Sequence, residues 1–393
     1  MPSLHRNKPV ISKIIDRLKI FVPINFRLHF RHMIHSMGLS RIGRQNKKTY
    51  KENIEHFKNC KDALYQMATY GHCNDFALFI DSYKNKAVKP VKVLDIVLCE
   101  NDPILICVVK DDLSRIKIQI EYHRKIGVKH FAYIDNMSKD GTFEWLEKQN
   151  DVSLFSTSEE YRSARQRSWM RQTVDFLGYD KWYLDLDSDE LFSYPGIENK
   201  PISKYIDFLE KKNIQSVFTL VLDMYSKNSL FSSFVSEYDF LKEYCYFDTD
   251  TYKIQKTILR YNVSGGPRTR ILSKSDQSDI QCLTNYSLVK WSKSMIIRAH
   301  HNFPLSSNFE TSLPIAVILH YKFLPQDHLK FEDHVKTGVH VGGSAEYKRY
   351  MKTFNENPCT SFYHERSQKL DNSMDLMKID IINKGFFGEF LAK

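Results

Sequence analysis

Four carboxylates fall within six positions of the run "KWYLDLDSDELF" (181–192): Asp185, Asp187, Asp189 and Glu190. Like charges this close repel one another unless a cation sits among them or water screens them. The spacing D-x-D-x-D opens a calcium loop of the EF-hand kind, but that loop needs glycine at its sixth position and glutamate at its twelfth. Here those positions hold Glu190 and Gly196, so that chemistry is excluded. Further chemistry-bearing residues lie downstream. Asp223 follows a strong apolar run, Glu332-Asp333 is a Glu-Asp pair, His300, His301 and His320 form a loose histidine group, and "SGGPRTR" (264–270) sets Arg268 and Arg270 beside two glycines.

The elements around the acidic run alternate regularly. "ILICVVK" (104–110), "HFAYID" (130–135), "VSLFST" (152–157) and "KWYLDLD" (181–187) read as short apolar strands. Between them, "LSRIKIQIEYHRKIG" (113–127), a stretch opening with "GTFEWLEKQ", and "RSARQRSWMRQTVDFLG" (162–178) read as helices, the first and last ending at Gly127 and Gly178. Alternation of this kind predicts a mostly parallel sheet covered by helices, whose ligands bind beyond the carboxyl ends of the strands. The acidic run, Lys110-Asp111-Asp112 and Asp135-Asn136 all fall at such ends. Within the fourth strand, Asp185 and Asp187 alternate onto one face.

Two enzyme chemistries use aspartates spaced this way. An aspartyl-phosphate phosphatase of the haloacid dehalogenase type would use Asp185 as nucleophile and Asp187 as general acid. Its pattern requires Thr or Val where this chain has Asp189, and places the motif after the first strand rather than the fourth. A glycosyltransferase acting on a nucleotide-sugar uses D-x-D to hold a divalent cation against the diphosphate, whose charge grows as the sugar–phosphate bond breaks. Oxygen ligands suit Mn²⁺ or Mg²⁺, and no Cys/His cage is then needed. A non-catalytic glycan- or nucleotide-binding protein is the third alternative.

The stretches "VVKDDLSRIKIQIEYHRKIGVKHFAYIDNMSKDGT" and "ARQRSWMRQTVDFLGYDKWYLDLDSDELF" resemble the GT-A catalytic domain of family 2 glycosyltransferases, in particular the bacterial branch with D-x-D-E after a Trp-bearing strand; "GGPRTR", "LVKW" and "LHYKF" extend the likeness over about 100–350. The resemblance implies a Rossmann-like α/β domain with a mostly parallel central sheet over 96–345, its nucleotide-binding half at about 100–192 and its acceptor half at about 193–345. Residues 1–95 would then be a basic, largely helical N-terminal extension and 346–393 a helical or irregular tail. It implies a hexosyltransferase-type enzyme that moves a sugar, with inversion, from a nucleotide-sugar (a UDP-sugar by expectation) to a glycan or glycolipid acceptor in lipopolysaccharide or capsule synthesis. Asp187 and Asp189 would bind Mn²⁺ or Mg²⁺, with His320 as the third ligand and His300 or His301 as the next choice. Lys110, Asp135, Arg165, Asp187 and Arg268 would contact the nucleotide, with Arg167 the rival of Arg165. The "SGGPRTR" segment would either fold over the pyrophosphate or turn a hairpin. Glu332 and Asp333, or Asp223, would take the acceptor proton.

Composition bounds the rest. The chain of 393 residues is 42% hydrophobic and 13% aromatic, enough for a sizeable core. No stretch approaches the roughly 18–20 apolar residues of a membrane span, and no secretory leader is evident. Seven scattered cysteines contain no C-x-x-C pair, which excludes a zinc ribbon and leads us to expect reduced thiols in a cytoplasm. Residues 1–50 hold eleven Lys/Arg and one acid, so the whole net charge of +10 resides there. Interleaved with Ile, Leu and Phe, this arm suits peripheral contact with the anionic inner face of a cytoplasmic membrane, or packing as a basic helical extension. No nucleic-acid recognition motif accompanies it.

Overall fold

A computed structural model describes residues 86–161, 163–230, 240–256, 260–272, 282–295, 311–338 and 341–393. The basic arm, most of the expected helical extension, His300 and His301 lie outside these residues.

Strands β1 (Lys89–Lys92), β2 (Ile104–Val109), β3 (His130–Asp135), β4 (Val152–Ser156) and β5 (Lys181–Asp185), with β12 (Leu288–Trp291), form a six-stranded sheet in the order β1-β4-β3-β2-β5-β12. The four inner strands are parallel, and β1 and β12 close the edges antiparallel. Helices α1 (Leu113–Lys125), α2 (Thr142–Glu147) and α3 (Ser163–Leu177) make the crossovers. Alternation along each strand explains the unbroken apolar runs. Leu105, Cys107, Phe131 and Tyr133 pack with Ile116 and Ile120 of α1 and Leu146 of α2. Ile104, Ile106, Ala132 and Ile134 turn the other way, onto Trp169, Met170 and Val174 of α3. A strand with helices on both faces has no side left for water, so no polar alternation survives.

The second half forms its own sheet, and the short strands β8 (Tyr246–Phe247), β9 (Lys253–Lys256) and β10 (Tyr261–Ser264) lie outside it. Strands β6 (Glu190–Ser193), β7 (Thr219–Asp223), β11 (Thr284–Asn285) and β13 (Ala316–His320) take the order β11-β7-β13-β6. Strand β13 runs parallel to β7 and antiparallel to β6. Helix α4 (Ile202–Lys211) buries Tyr205, Phe208 and Leu209 in the main core.

Three further features complete the fold. Residues 89–92, placed in the helical extension, form the edge strand β1, where Pro90 is tolerated because an edge needs no complete ladder. The boundary at 345/346 falls inside a helix, Val341–Glu356. The C-terminal segment is part of the core: helix Lys384–Ala392 lays Phe386 and Phe390 on Tyr205 and Phe208, and Lys200 donates to the carbonyls of Phe390 and Leu391 at 2.8 and 3.1 Å.

Two buried histidines give this core a pH dependence. His123 donates from Nδ1 to the Gln119 carbonyl (2.7 Å) and accepts the Phe192 N–H at Nε2 (3.2 Å), so it is neutral; burial pushes its pKa down to about 4 from 6.5. Burial, helped by Lys181, brings His130 to about 4 as well, with Nε2 2.8 Å from Ser153 Oγ. Below pH 6.5 the unfolded chain takes up protons that these two sites refuse, so stability falls as pH drops from 6.5 toward 4. Each site contributes roughly 3 kcal/mol across that window. Urea denaturation at about pH 7 and about pH 5 should show the loss, whereas His123→Gln should shrink the difference between the two conditions.

Candidate functional site

Strands β5 and β6 are separated only by Leu186–Asp189, and this turn is tied at both ends. Glu190 N–H donates to the Asp187 carbonyl (3.1 Å), Asp187 N–H donates to Glu190 Oε2 (3.0 Å), and Tyr321 N–H donates to the Asp189 carbonyl (2.8 Å). Gln119 of α1 donates from Nε2 to the carbonyls of Asp187 and Glu190 at 2.7 and 2.9 Å. The turn therefore joins the parallel sheet to the second one.

Each aspartate meets a different kind of neighbour. Asp185 is buried against Arg167; burial raises its pKa and the guanidinium opposes that rise. Asp187 accepts from the neutral amide of Gln166 at 2.9 Å, and Gln166 in turn accepts from Tyr161 at 3.2 Å. Asp189 lies 3.5 Å from Nε2 of His320. Burial by itself would raise the pKa of Asp189, but His320, with Arg115 and Lys322 behind it, holds the carboxyl well below the usual range. Glu190 is buried, and that burial together with Asp187 and Asp189 drives its pKa well up.

Strand pairing supplies the other half. In the second sheet, His320 is the register partner of Glu190 on β6 and of Asp223 on β7, so three strand ends stand side by side. His320 Nδ1 is 2.8 Å from Asp223 Oδ1, and Arg268 Nε donates to Asp223 Oδ2 at 2.7 Å. Burial alone would lower the His320 pKa; carboxylates at both ring nitrogens outweigh it and push it up to about 9. Burial would likewise raise Asp223, but Arg268 and His320 keep it low.

The remaining candidates are distributed as follows. Asp135 ends β3 with its carboxylate buried: Oδ2 accepts from Ser138 N–H (3.1 Å), while Oδ1 has no partner among the described residues. Burial raises its pKa. Lys110 is exposed after β2. Arg165 donates to the Glu160 carbonyl (2.9 Å) and lies 4.0 Å from the Glu159 carboxylate, while Arg167, two positions on, pairs with Asp185. "SGGPRTR" makes neither a flap nor a hairpin but a short helix, Gly266–Leu272, whose Arg268 and Arg270 pair with buried Asp223 and Asp248. Gly265 precedes it at φ +116°, where a Cβ would lie 2.0 Å from the Thr251 carbonyl oxygen. Glu332 sits on helix Asp327–Thr337 with Oε1 3.7 Å from His328, and Asp333 is exposed on the same helix.

Residues not singled out as candidates also shape the site. Asp112 accepts from Ser188 and, at 2.9 Å, from Lys330. Arg115 is buried in a two-pronged pair with Asp327 and donates to the Tyr321 carbonyl at 3.0 Å. Arg115, Gln119 and Gln166 are polar residues inside amphipathic helices, a signal that something polar lies opposite, although nothing local says what. Among the described residues, no group of three or more His, Cys, Asp or Glu side chains is arranged as a metal site. Nor is any described helix long and apolar enough to cross a membrane.

No protein-family model matches the chain, and no curated protein does. Among solved structures, it is similar to HddC from Yersinia pseudotuberculosis (12% identity, 58% of this chain and 97% of that one, TM-score 0.30). It is similar also to a UDP-glucose pyrophosphorylase complexed with UDP-glucose (8% identity, 74% and 100%, TM-score 0.24). At TM-scores of this size neither likeness bears on function.

Proposed function

We propose that the protein is a metal-dependent glycosyltransferase that takes a sugar from a nucleotide-sugar, UDP-linked by expectation, and passes it to a glycan or glycolipid hydroxyl. The observation that carries this reading is the placement of Asp135, Asp187 and Asp189 at one edge of a parallel sheet, with His320 brought against Asp189 from the second sheet and backed there by Asp223. The alternative phosphatase chemistry needs an accessible nucleophile, and Asp185 is buried on Arg167.

The donor set fits a hard cation. Oxygens from Asp187 and Asp189 suit Mn²⁺ or Mg²⁺, which one or two carboxylates hold together with substrate phosphates rather than in an all-protein cage, and His320 would join them as a ligand on giving up its Nε2 proton. When bound, such a cation would offset the charge that develops on the leaving diphosphate. Asp223 positions His320: a carboxylate on Nδ1 fixes the ring so that Nε2 faces Asp189. Asp135 offers an unpartnered buried oxygen to a hydrogen-bond donor on the nucleoside. In the reaction, the acceptor oxygen bonds to the anomeric carbon while the bond from that carbon to the diphosphate oxygen breaks. The hydroxyl proton passes to a base, and the nucleoside diphosphate leaves.

The test is a thermal-denaturation panel of UDP, GDP, CDP and ADP with and without Mn²⁺. One diphosphate should raise the midpoint by about 5 °C near saturation, and only with the cation present. If none of the four shifts it, the reading is wrong.

A further inference from the structure

We propose that Gln119 is the positioning residue that sets the acidic turn for cation binding, an inference resting on the glycosyltransferase reading above. Gln119 is fully buried two turns into α1, among Ile116, Ile118 and Ile120, with buried Arg115 and His123 one turn to either side. A neutral amide in such a place costs stability unless its atoms are satisfied. Here both ends of the amide are engaged. Nε2 donates to the carbonyls of Asp187 and Glu190 at 2.7 and 2.9 Å, and Oε1 accepts from the Tyr133 hydroxyl at 2.7 Å.

The two carbonyls belong to Asp187 and Glu190, the residues joined by the hydrogen bond that closes the turn around Ser188 and Asp189. A single NH₂ group therefore spans the turn from beneath and fixes the separation of its ends. Tyr133, on β3, decides which way the amide faces. Flipping it would turn Oε1 onto two carbonyl oxygens and waste the hydroxyl. The clamp is also uncharged. A lysine or arginine here could grip the same carbonyls, but it would place a cation under carboxylates that must themselves attract one. Gln119 orders the acids without neutralising them, as Gln166 does at the Asp187 carboxylate.

The test uses the full chain with Gln119→Met, which keeps the volume and removes the donors, and Tyr133→Phe, which removes only the hydroxyl that orients the amide. Free Mn²⁺ is followed by electron paramagnetic resonance during titration of protein with saturating UDP, and the midpoint of urea denaturation is measured without ligand. Gln119→Met should weaken Mn²⁺ uptake by about 10- to 100-fold, the range found for partners that orient metal ligands, with a smaller loss in Tyr133→Phe. In turnover the Mn²⁺ concentration giving half-maximal rate should rise, while the rate at saturating Mn²⁺ is largely kept. A purely structural role would lower the urea midpoint and leave Mn²⁺ affinity unchanged in both variants, which overturns the proposal alone. Should the wild-type protein take up no Mn²⁺ with any nucleoside diphosphate, the glycosyltransferase reading falls and this inference with it.

Discussion

Asp187→Ala and Asp189→Ala should each lower kcat/KM for a nucleotide-sugar donor by about 10²- to 10³-fold, the usual cost of removing one preorganised charge contact from a transition state. Both variants should also lose the response to Mn²⁺. Their stabilities should nevertheless differ, because the surroundings of the two carboxylates differ. Asp187 bonds to the amide of Gln166, and losing its carboxylate leaves no buried charge behind on that partner. Asp189 faces His320, whose other nitrogen already rests on Asp223. Removing Asp189 takes away one of the two carboxylates that hold the imidazole protonated in a buried place. Asp187→Ala should therefore denature close to the wild-type midpoint, while Asp189→Ala should denature earlier. Initial rates across a Mn²⁺ series, with urea denaturation alongside, measure both effects. Asp185→Asn is the control: a phospho-aspartate mechanism would lose all activity, whereas here the change disturbs the pairing with Arg167 beneath the site. Equal activity of the wild type and the two alanine variants would remove the cation from the mechanism.

The parts of this site readable in the sequence are those fixed by local periodicity. Strands β2, β3, β4 and β5 and the helices between them announce themselves because each is a short apolar run or a 3.6-residue pattern, and alternation of the two dictates a parallel sheet. That arrangement alone carries Asp135 and the acidic turn to one edge. What stayed hidden depends on pairings between distant segments. His320 meets Asp223 because β13 lies parallel to β7, a register that nothing near either residue encodes. Strand β6 has four residues, "ELFS", too few to show an alternation, although its pairing places Glu190 opposite His320. The choice between Arg165 and Arg167 turned on a helix face. Two positions rotate a side chain by about 200°, and only the packing of α3 on the sheet shows which one points at Asp185. Glu332-Asp333 matched by type alone, and a charge pair on a helix surface has the same composition as a catalytic one.

Arg268→Met should destabilise the protein by about 3–5 kcal/mol, because it strands a charge instead of replacing a pair. Arg268 and Asp223 are both almost wholly buried and meet at 2.7 Å. Without the guanidinium, Asp223 keeps His320 as its charged partner among the described residues, and that ring must then balance it and Asp189 together. Asp223→Leu should cost a similar amount for the opposite reason. Arg268 would lose its nearest carboxylate, and Glu346, 3.6 Å away, is already engaged by Lys322 at 3.1 Å and by the Tyr350 hydroxyl. The double variant removes both charges at once, so its loss should fall short of the sum of the singles by about 1–3 kcal/mol. Urea denaturation of the four proteins gives that coupling directly; additive losses would mean that the two side chains do not rely on each other. Function separates the partners further. Asp223→Leu frees Nδ1 of His320 and should weaken Mn²⁺ binding by about tenfold. Arg268→Met leaves the Asp223–His320 contact in place and should weaken it less. The same salt bridge thus reads out as stability from both sides but as cation affinity chiefly from one, because of its two partners it is Asp223 that touches the ring facing Asp189.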